Sequence, residues 1–251
     1  MIPREAIILV GGLGTRLRPV VRDLPKPLAP VAGRPFLAWL LDRLAAAGLT
    51  RVVLATGQLG HLVEAAIGPR HGGLEVLYAP EEQPLGTGGA LLAALPRTTG
   101  ERVFALNGDT WLEADLGALA AHAPAADLVF AARPVADRSR YGSVALEGGR
   151  MVGLHGKGET GPGLINAGLY LLRRGLLGGL RTARSLPPAF SFEREVLERP
   201  GSLDIRAVPV DGRFIDIGTP EDFAAAQTLL PAWCGSSGGS QPHAPEAPCC
   251  P

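Results

Sequence analysis

From Glu5 to Ala132, short apolar runs alternate with segments in which apolar residues recur every three or four positions. Glu5–Val10, Arg51–Thr56, Glu75–Tyr78, Arg102–Leu106 and Asp127–Ala132 are rich in β-formers and bounded by Gly, Pro or Asn, which predicts buried strands. Between them, Pro35–Ala47 opens on a proline, closes before Gly48 and carries Phe36, Leu37, Leu40, Leu41 and Leu44 on one stripe, as a helix should. Leu59–Ile67 ends on Gly68 in the same way, and Thr87 is placed to cap a helix running to Leu95. Strands alternating with helices predict one Rossmann-like α/β domain: a mostly parallel mixed sheet flanked by helices on both faces.

Beyond Arg133 the pattern changes. Ser143–Leu146 and Met151–Leu154 flank Glu147-Gly148-Gly149-Arg150, a hairpin signal, and Leu164–Leu172 reads as a longer strand. Phe192–Leu197 reads as helical and Leu203–Pro209 as a strand, while Thr219-Pro220-Glu221-Asp222 opens another helix with a cap, a first-position proline and acidic residues. With no linker between the halves, this part is expected to be a small antiparallel elaboration that closes over the sheet. A single domain is thus expected over residues 1–230, followed by a disordered tail, 231–251, too poor in apolar residues to order itself.

Composition narrows the function classes. The 24 basic residues balance the 24 acidic ones, so nothing suggests the basic footprint of a nucleic-acid or membrane-surface binder. No apolar run approaches the roughly 20 residues of a spanning helix, and no cleavage site follows the first short apolar segment, so a cytoplasmic protein is expected. The three cysteines, Cys234, Cys249 and Cys250, all lie near the C-terminus, leaving the body without a disulfide framework or thiolate metal site. The histidines show no metal-ligand spacing, and no G-x-S-x-G elbow marks a hydrolase. There are only two lysines, Lys26 and Lys157, against 22 arginines. In a chain that favours arginine so strongly, a retained lysine marks a position that needs a compact ammonium on a flexible stem.

The glycine-rich loops all follow predicted strands. Gly11-Gly12-Leu13-Gly14-Thr15-Arg16 follows the first, Gly57 the second, Pro84-Leu85-Gly86-Thr87-Gly88-Gly89 the third and Asn107-Gly108-Asp109 the fourth. In a parallel sheet these are carboxyl ends converging on one crevice. Bare N–H groups there form an anion nest, and the stiff cationic loop holding Arg16, Arg18, Arg22 and Lys26 among prolines suits a polyphosphate. A triphosphate site calls for a divalent cation on hard carboxylate oxygens, for which Asp109 and Asp216 are the candidates. A dinucleotide enzyme fits less well, because Thr56-Gly57-Gln58 supplies no acidic residue after the second strand.

These motifs, in this order, resemble those of the sugar-1-phosphate nucleotidyltransferases. The resemblance rests on Gly11–Leu17 with Leu24-Pro25-Lys26-Pro27-Leu28, on Pro84–Gly89, Asn107-Gly108-Asp109, Arg140-Tyr141-Gly142, Lys157, Leu164–Gly168 and Phe214–Asp222. Pro35-Phe36-Leu37 and Phe190-Ser191-Phe192-Glu193 look most like the D-glycero-α-D-manno-heptose 1-phosphate guanylyltransferases within that family. The resemblance implies transfer of a nucleotidyl group, GMP from GTP in the first place, to a sugar 1-phosphate, with release of pyrophosphate. It implies Mg²⁺ on Asp109 and Asp216, with Arg16, Lys26 and Lys157 handling phosphates. Leu9, Gly11, Gly12, Gly14, Thr15, Pro84, Gly86, Thr87 and Gly108 would hold the nucleotide, and Tyr141, Gly142 and Asn166 the sugar. Where family members commonly carry a glutamate just before the second lysine, this chain has Gly156, and Glu159 is expected to reach in instead. The alternatives are a mannose-1-phosphate guanylyltransferase or a uridylyltransferase of the same fold, and a regulatory module that binds a nucleotide sugar without turnover. The expected partners are thus small molecules, with neither nucleic acid nor membrane, and the chain is expected to be a monomer or a homodimer.

Overall fold

The computed structural model describes residues 2–12, 17, 21, 24–156 and 158–235; Gly14, Thr15, Arg16, Lys157 and residues 236–251 of the tail lie outside them. The strands are β1 (Glu5–Leu9), β2 (Pro30–Val31), β3 (Arg34–Pro35), β4 (Arg51–Thr56), β5 (Arg70–His71), β6 (Leu74–Pro80) and β7 (Arg102–Asn107). They continue with β8 (Thr110–Leu112), β9 (Leu128–Val135), β10 (Ser143–Glu147), β11 (Arg150–His155), β12 (Gly163–Arg173), β13 (Ile205–Pro209) and β14 (Phe214–Asp216). The helices are α1 (Phe36–Ala46), α2 (Gly60–Ile67), α3 (Gly86–Ala94), α4 (Leu116–His122), α5 (Leu176–Ala183) and α6 (Pro220–Cys234).

Ten strands form one mixed sheet in the order β10-β11-β13-β9-β12-β7-β1-β4-β6-β5. Its first half is the expected parallel unit, with β6, β4, β1 and β7 all pairing in parallel. Both faces are covered. Along β1, Ala6 and Ile8 pack with α1, α2, α4 and α6, while Ile7 packs with α3 and α5 on the other side. The run Ala6–Leu9, apolar at every position, is what two buried faces require, and each buried Ile contributes roughly 1.5–3 kcal/mol.

The second half extends this sheet through antiparallel β12 and then curls. A register shift in β12 between Asn166 and Tyr170 separates a front section on β9 from a back section shared by β9 and β7. The bulge turns on Gly168, whose φ of +72° and closeness to Asn107, 2.6 Å from any added Cβ, exclude a side chain. The predicted hairpin forms with Gly148 and Gly149 both at positive φ, and Ser143 of β10 returns to pair with Ile165 of β12.

Three expectations need correction. Thr87 caps nothing: α3 starts at Gly86 behind Leu85, and the Thr87 hydroxyl crosses to Phe192 and Glu193 instead. Residues 193–197 are indeed helical, but as a π-helical turn. The domain boundary expected at 231 falls inside α6, which runs on through Pro231 to Cys234 and lays Trp233 against Trp111 with ring centroids 5.2 Å apart. Aromatic contact holds this last turn, which composition alone could not show.

Candidate active site

The carboxyl ends of β1, β4 and β7 are drawn together by backbone. Gly108 donates its N–H to the Leu9 carbonyl at 3.0 Å, and a Cβ on Gly108 would lie 2.4 Å from that oxygen. Gly11 and Gly57 face each other as closely, since a Cβ on Gly57 would come within 2.7 Å of the Gly11 carbonyl. Glycine is required at both crossings because no side chain fits between the chains.

The two candidate aspartates meet through a short antiparallel pair. Strand β14 lies against β8 with Asp216 opposite Thr110, and Ile217 donates to the Asp109 carbonyl at 3.0 Å. Glu113 fastens the far end of this pair, accepting from the Arg213 guanidinium at 2.7 and 2.8 Å. Both carboxylates then converge on one cation: Lys26 Nζ is 2.6 Å from Asp109 Oδ2 and 3.6 Å from Asp216 Oδ1. The Lys26 side chain is 8% exposed, so a buried ammonium stands between two carboxylates that would otherwise repel. Gly218 adds an N–H to Asp216 Oδ1 at 2.7 Å. Among the described residues no third His, Cys, Asp or Glu joins them in a metal-binding group.

The loop Pro84–Gly89 is roofed by the segment 188–192. Gly88 donates to the Phe190 carbonyl at 2.9 Å, and Phe190 donates to that of Leu85 at 2.9 Å. A Cβ on Gly86 would fall 2.7 Å from the Phe190 oxygen, and one on Gly88 2.2 Å from its ring.

On the opposite wall, the Tyr141 ring packs edge-on against Phe214, two residues before Asp216. Burial pushes its phenol up, against the pull of Arg140 and with help from the Asp216 charge, so it stays a neutral donor. Gly142 runs close under the His155 carbonyl, 3.2 Å from where a Cβ would stand. Asn166 spans the β12 bulge, accepting from the Gly168 N–H at 3.1 Å and donating to the Tyr170 hydroxyl at 2.7 Å. Glu159 meets the residue that follows Gly142. It accepts from the Ser143 hydroxyl at 2.5 Å and pairs with Arg138 at 3.2 Å.

Leu9, Gly12, Lys26, Thr87, Gly108 and Asp109 line a cavity of about 300 Å³, together with Leu17, Pro27, Asn107, Glu193 and Gly218, which were not singled out as site residues. All five sit inside the motifs that carry the resemblance, Glu193 at the end of Phe190-Ser191-Phe192-Glu193 and Asn107 beside Gly108, so adjacency could have found them. A larger hollow of about 640 Å³ lies at the other end of β7, around Arg102 and Arg173, where no carboxyl-end loop reaches.

The chain belongs to the nucleotidyl transferase family, whose model matches residues 5–232. It is 39% identical over 229 residues to the D-glycero-α-D-manno-heptose 1-phosphate guanylyltransferase of Aneurinibacillus thermoaerophilus, a match covering 90% of this chain and 98% of that one. It is 37% identical to the mannose-1-phosphate guanylyltransferase of Mycobacterium tuberculosis, covering 90% of this chain and 64% of that longer protein. The crystal structure of HddC from Yersinia pseudotuberculosis complexed with GMP-PN superposes with a TM-score of 0.80 at 32% identity, over 90% of this chain and 99% of that one. No helix among the described residues is long and apolar enough to cross a membrane.

Proposed function

We propose that this chain transfers GMP from GTP to D-glycero-α-D-manno-heptose 1-phosphate, giving the GDP-sugar and pyrophosphate. The observation that carries the transfer chemistry is the convergence of Asp109 and Asp216 on Lys26 at the floor of a glycine-walled crevice. Likeness to a heptose 1-phosphate guanylyltransferase over nearly its whole length supports the choice of base and sugar. We place the reaction in the cytoplasm, the compartment that supplies nucleoside triphosphates.

In this reading a phosphate oxygen of the sugar 1-phosphate attacks the α-phosphorus of GTP in line, and pyrophosphate leaves without any covalent enzyme intermediate. Asp109 and Asp216 fit a magnesium ion and would hold it, because both carboxylates already face one shared cation and offer the hard oxygens it prefers. Bound there, it would neutralise charge developing on the reacting phosphates. The backbone amides around Gly11, Gly12 and Gly108 and the roofed loop at Gly86 would orient the nucleotide, with Gly14 and Thr15 continuing the nest. Lys26 would release the carboxylates for the triphosphate, Arg16 would grip it, and Lys157 would meet the sugar phosphate. Alignment and charge neutralisation of this kind together supply several kcal/mol or more.

The mycobacterial relative keeps a second acceptor, mannose 1-phosphate, in view. Pyrophosphate release measured for four nucleoside triphosphates against heptose, mannose and glucose 1-phosphates decides between them. The highest kcat/KM is expected for GTP with the heptose. A higher value for mannose corrects the sugar, one for another nucleotide corrects the base, and no release from any pair overturns the transfer itself.

A further inference from the structure

A sugar 1-phosphate brings several hydroxyl donors into the crevice, and selective binding requires acceptors aimed at them. Asp109 and Asp216 are turned to Lys26. Gly156 has no side chain, and Glu159 is already engaged by Ser143 and Arg138. Among the described residues one further carboxylate lines the cavity, that of Glu193 at the start of the π-helical turn.

Its two oxygens differ. Oε2 accepts from the Thr87 hydroxyl at 2.7 Å and the Ser191 hydroxyl at 3.1 Å, whereas Oε1 takes no hydrogen bond among the described residues. The clamp is itself anchored, for Thr87 Oγ1 also accepts the Phe192 N–H at 2.8 Å. Oε2 is therefore held in place before any ligand arrives. Glu193 lies toward Asn166: the ring of the neighbouring Phe192 packs edge-on against Tyr170 with centroids 4.9 Å apart, and the Tyr170 hydroxyl takes the hydrogen bond from Asn166 at 2.7 Å.

We propose that Glu193 reads the sugar, Oε1 accepting hydrogen bonds from ring hydroxyls while Thr87 and Ser191 hold Oε2. This rests on the sugar-1-phosphate transfer proposed above. It also explains why Thr87 does not cap α3. The clamp ties the sugar reader to the loop that carries Gly86, so the two substrates would meet on one rigid unit.

Steady-state pyrophosphate release by wild type, Glu193→Ala and Glu193→Gln, with GTP and a set of monodeoxy analogues of the accepted sugar 1-phosphate, tests this. Loss of a hydrogen bond to a charged acceptor predicts a KM for the sugar 1-phosphate raised about tenfold or more in Glu193→Ala, with the KM for GTP within about twofold of wild type. An analogue that wild type rejects by about tenfold should be turned over by Glu193→Ala as well as the parent sugar. Glu193→Gln, which keeps shape and an acceptor for the clamp, should fall between, and it carries the test alone should the alanine variant not fold. Equal rises in both KM values with discrimination among analogues intact would mean a packing role and overturn the proposal, as would unchanged kinetics. An inactive wild type overturns the transfer reading and this one with it, whereas an active wild type with unaltered variants overturns only the role of Glu193.

Discussion

The Lys26 ammonium lies 2.6 Å from a carboxylate oxygen of Asp109, in a slot that leaves only 8% of the lysine side chain exposed. Removing it leaves two carboxylates facing each other without a cation. Lys26→Met should lose turnover by about two orders of magnitude, as expected when a charge that stabilises the transition state is deleted. Lys26→Arg should not restore it, because a planar guanidinium does not replace a compact ammonium here. Pyrophosphate release checks both, and an active arginine variant would show that charge alone suffices.

Asp109→Asn and Asp216→Asn each keep shape while removing one carboxylate. Each should lower turnover steeply, by about a hundredfold or more, and shift the melting temperature little, since the surviving carboxylate still pairs with Lys26. Parallel kinetics and thermal melts separate the two effects. Near-normal turnover in either variant would remove that residue from the proposed metal site.

Gly88→Ala tests the roof over the nucleotide loop. The new methyl would lie 2.2 Å from the Phe190 ring, so the segment must shift. Overpacking of this kind costs about 1–3 kcal/mol, and the displaced loop should raise the KM for GTP. Denaturant unfolding and the KM together report it, and an unchanged midpoint would show that Phe190 can move freely.

Acid stability should depend on the clasp that holds β8 against β14. Bidentate hydrogen bonding from Arg213 pulls the Glu113 carboxyl down from its ordinary 4.5 to about 2. Its folded-state pKa is thus depressed, so its stabilisation is complete above about 4.5 and is lost as pH falls toward about 2. The pair is exposed at the surface and its contribution is small. Glu113→Gln should flatten this part of the acid limb in thermal melts between pH 5 and 2, while leaving the melting temperature at pH 7 only slightly lower.

The end of α6 supports the same region. Truncation after Leu230 removes Trp233 and uncovers Trp111, which is 2% exposed in the intact fold. A melting temperature several degrees lower is expected, given about 0.5–1.5 kcal/mol for the aromatic pair beyond its buried area. Truncation after Gly235 should melt like the whole chain. Equal melting of the two truncations would deny the last turn any structural role.

Much of the architecture was readable before folding. The strands β1, β4, β6 and β7 and the helix α1 announced themselves by apolar period, and Gly48 and Gly68 marked helix ends by the positive φ that glycine tolerates. The scarcity of lysine singled out Lys26, because composition carries information wherever one residue type resists a general drift. Other features depended on partners remote in the chain. Strands β8 and β14 have three residues each, too few to show a period, and only their pairing places Asp216 beside Asp109. Thr87 has the chemistry of a cap, but a partner 106 residues away takes its hydroxyl.

The two glutamates show the same division. Residue types, local periods and the loops that follow strands are properties of neighbouring positions, and the chain by itself determined them: a parallel nucleotide half, a crevice at its carboxyl ends and the kinds of group that line it. Which carboxylate lines the cavity beside Asp109 was decided in three dimensions, where Glu159 is taken up by Ser143 and Arg138 and the fold of segment 188–193 over the Gly86 loop brings Glu193 in. Hydrogen bonds and ion pairs act over a few ångströms of space, and distances of that size between residues far apart in sequence exist only once the sheet has closed.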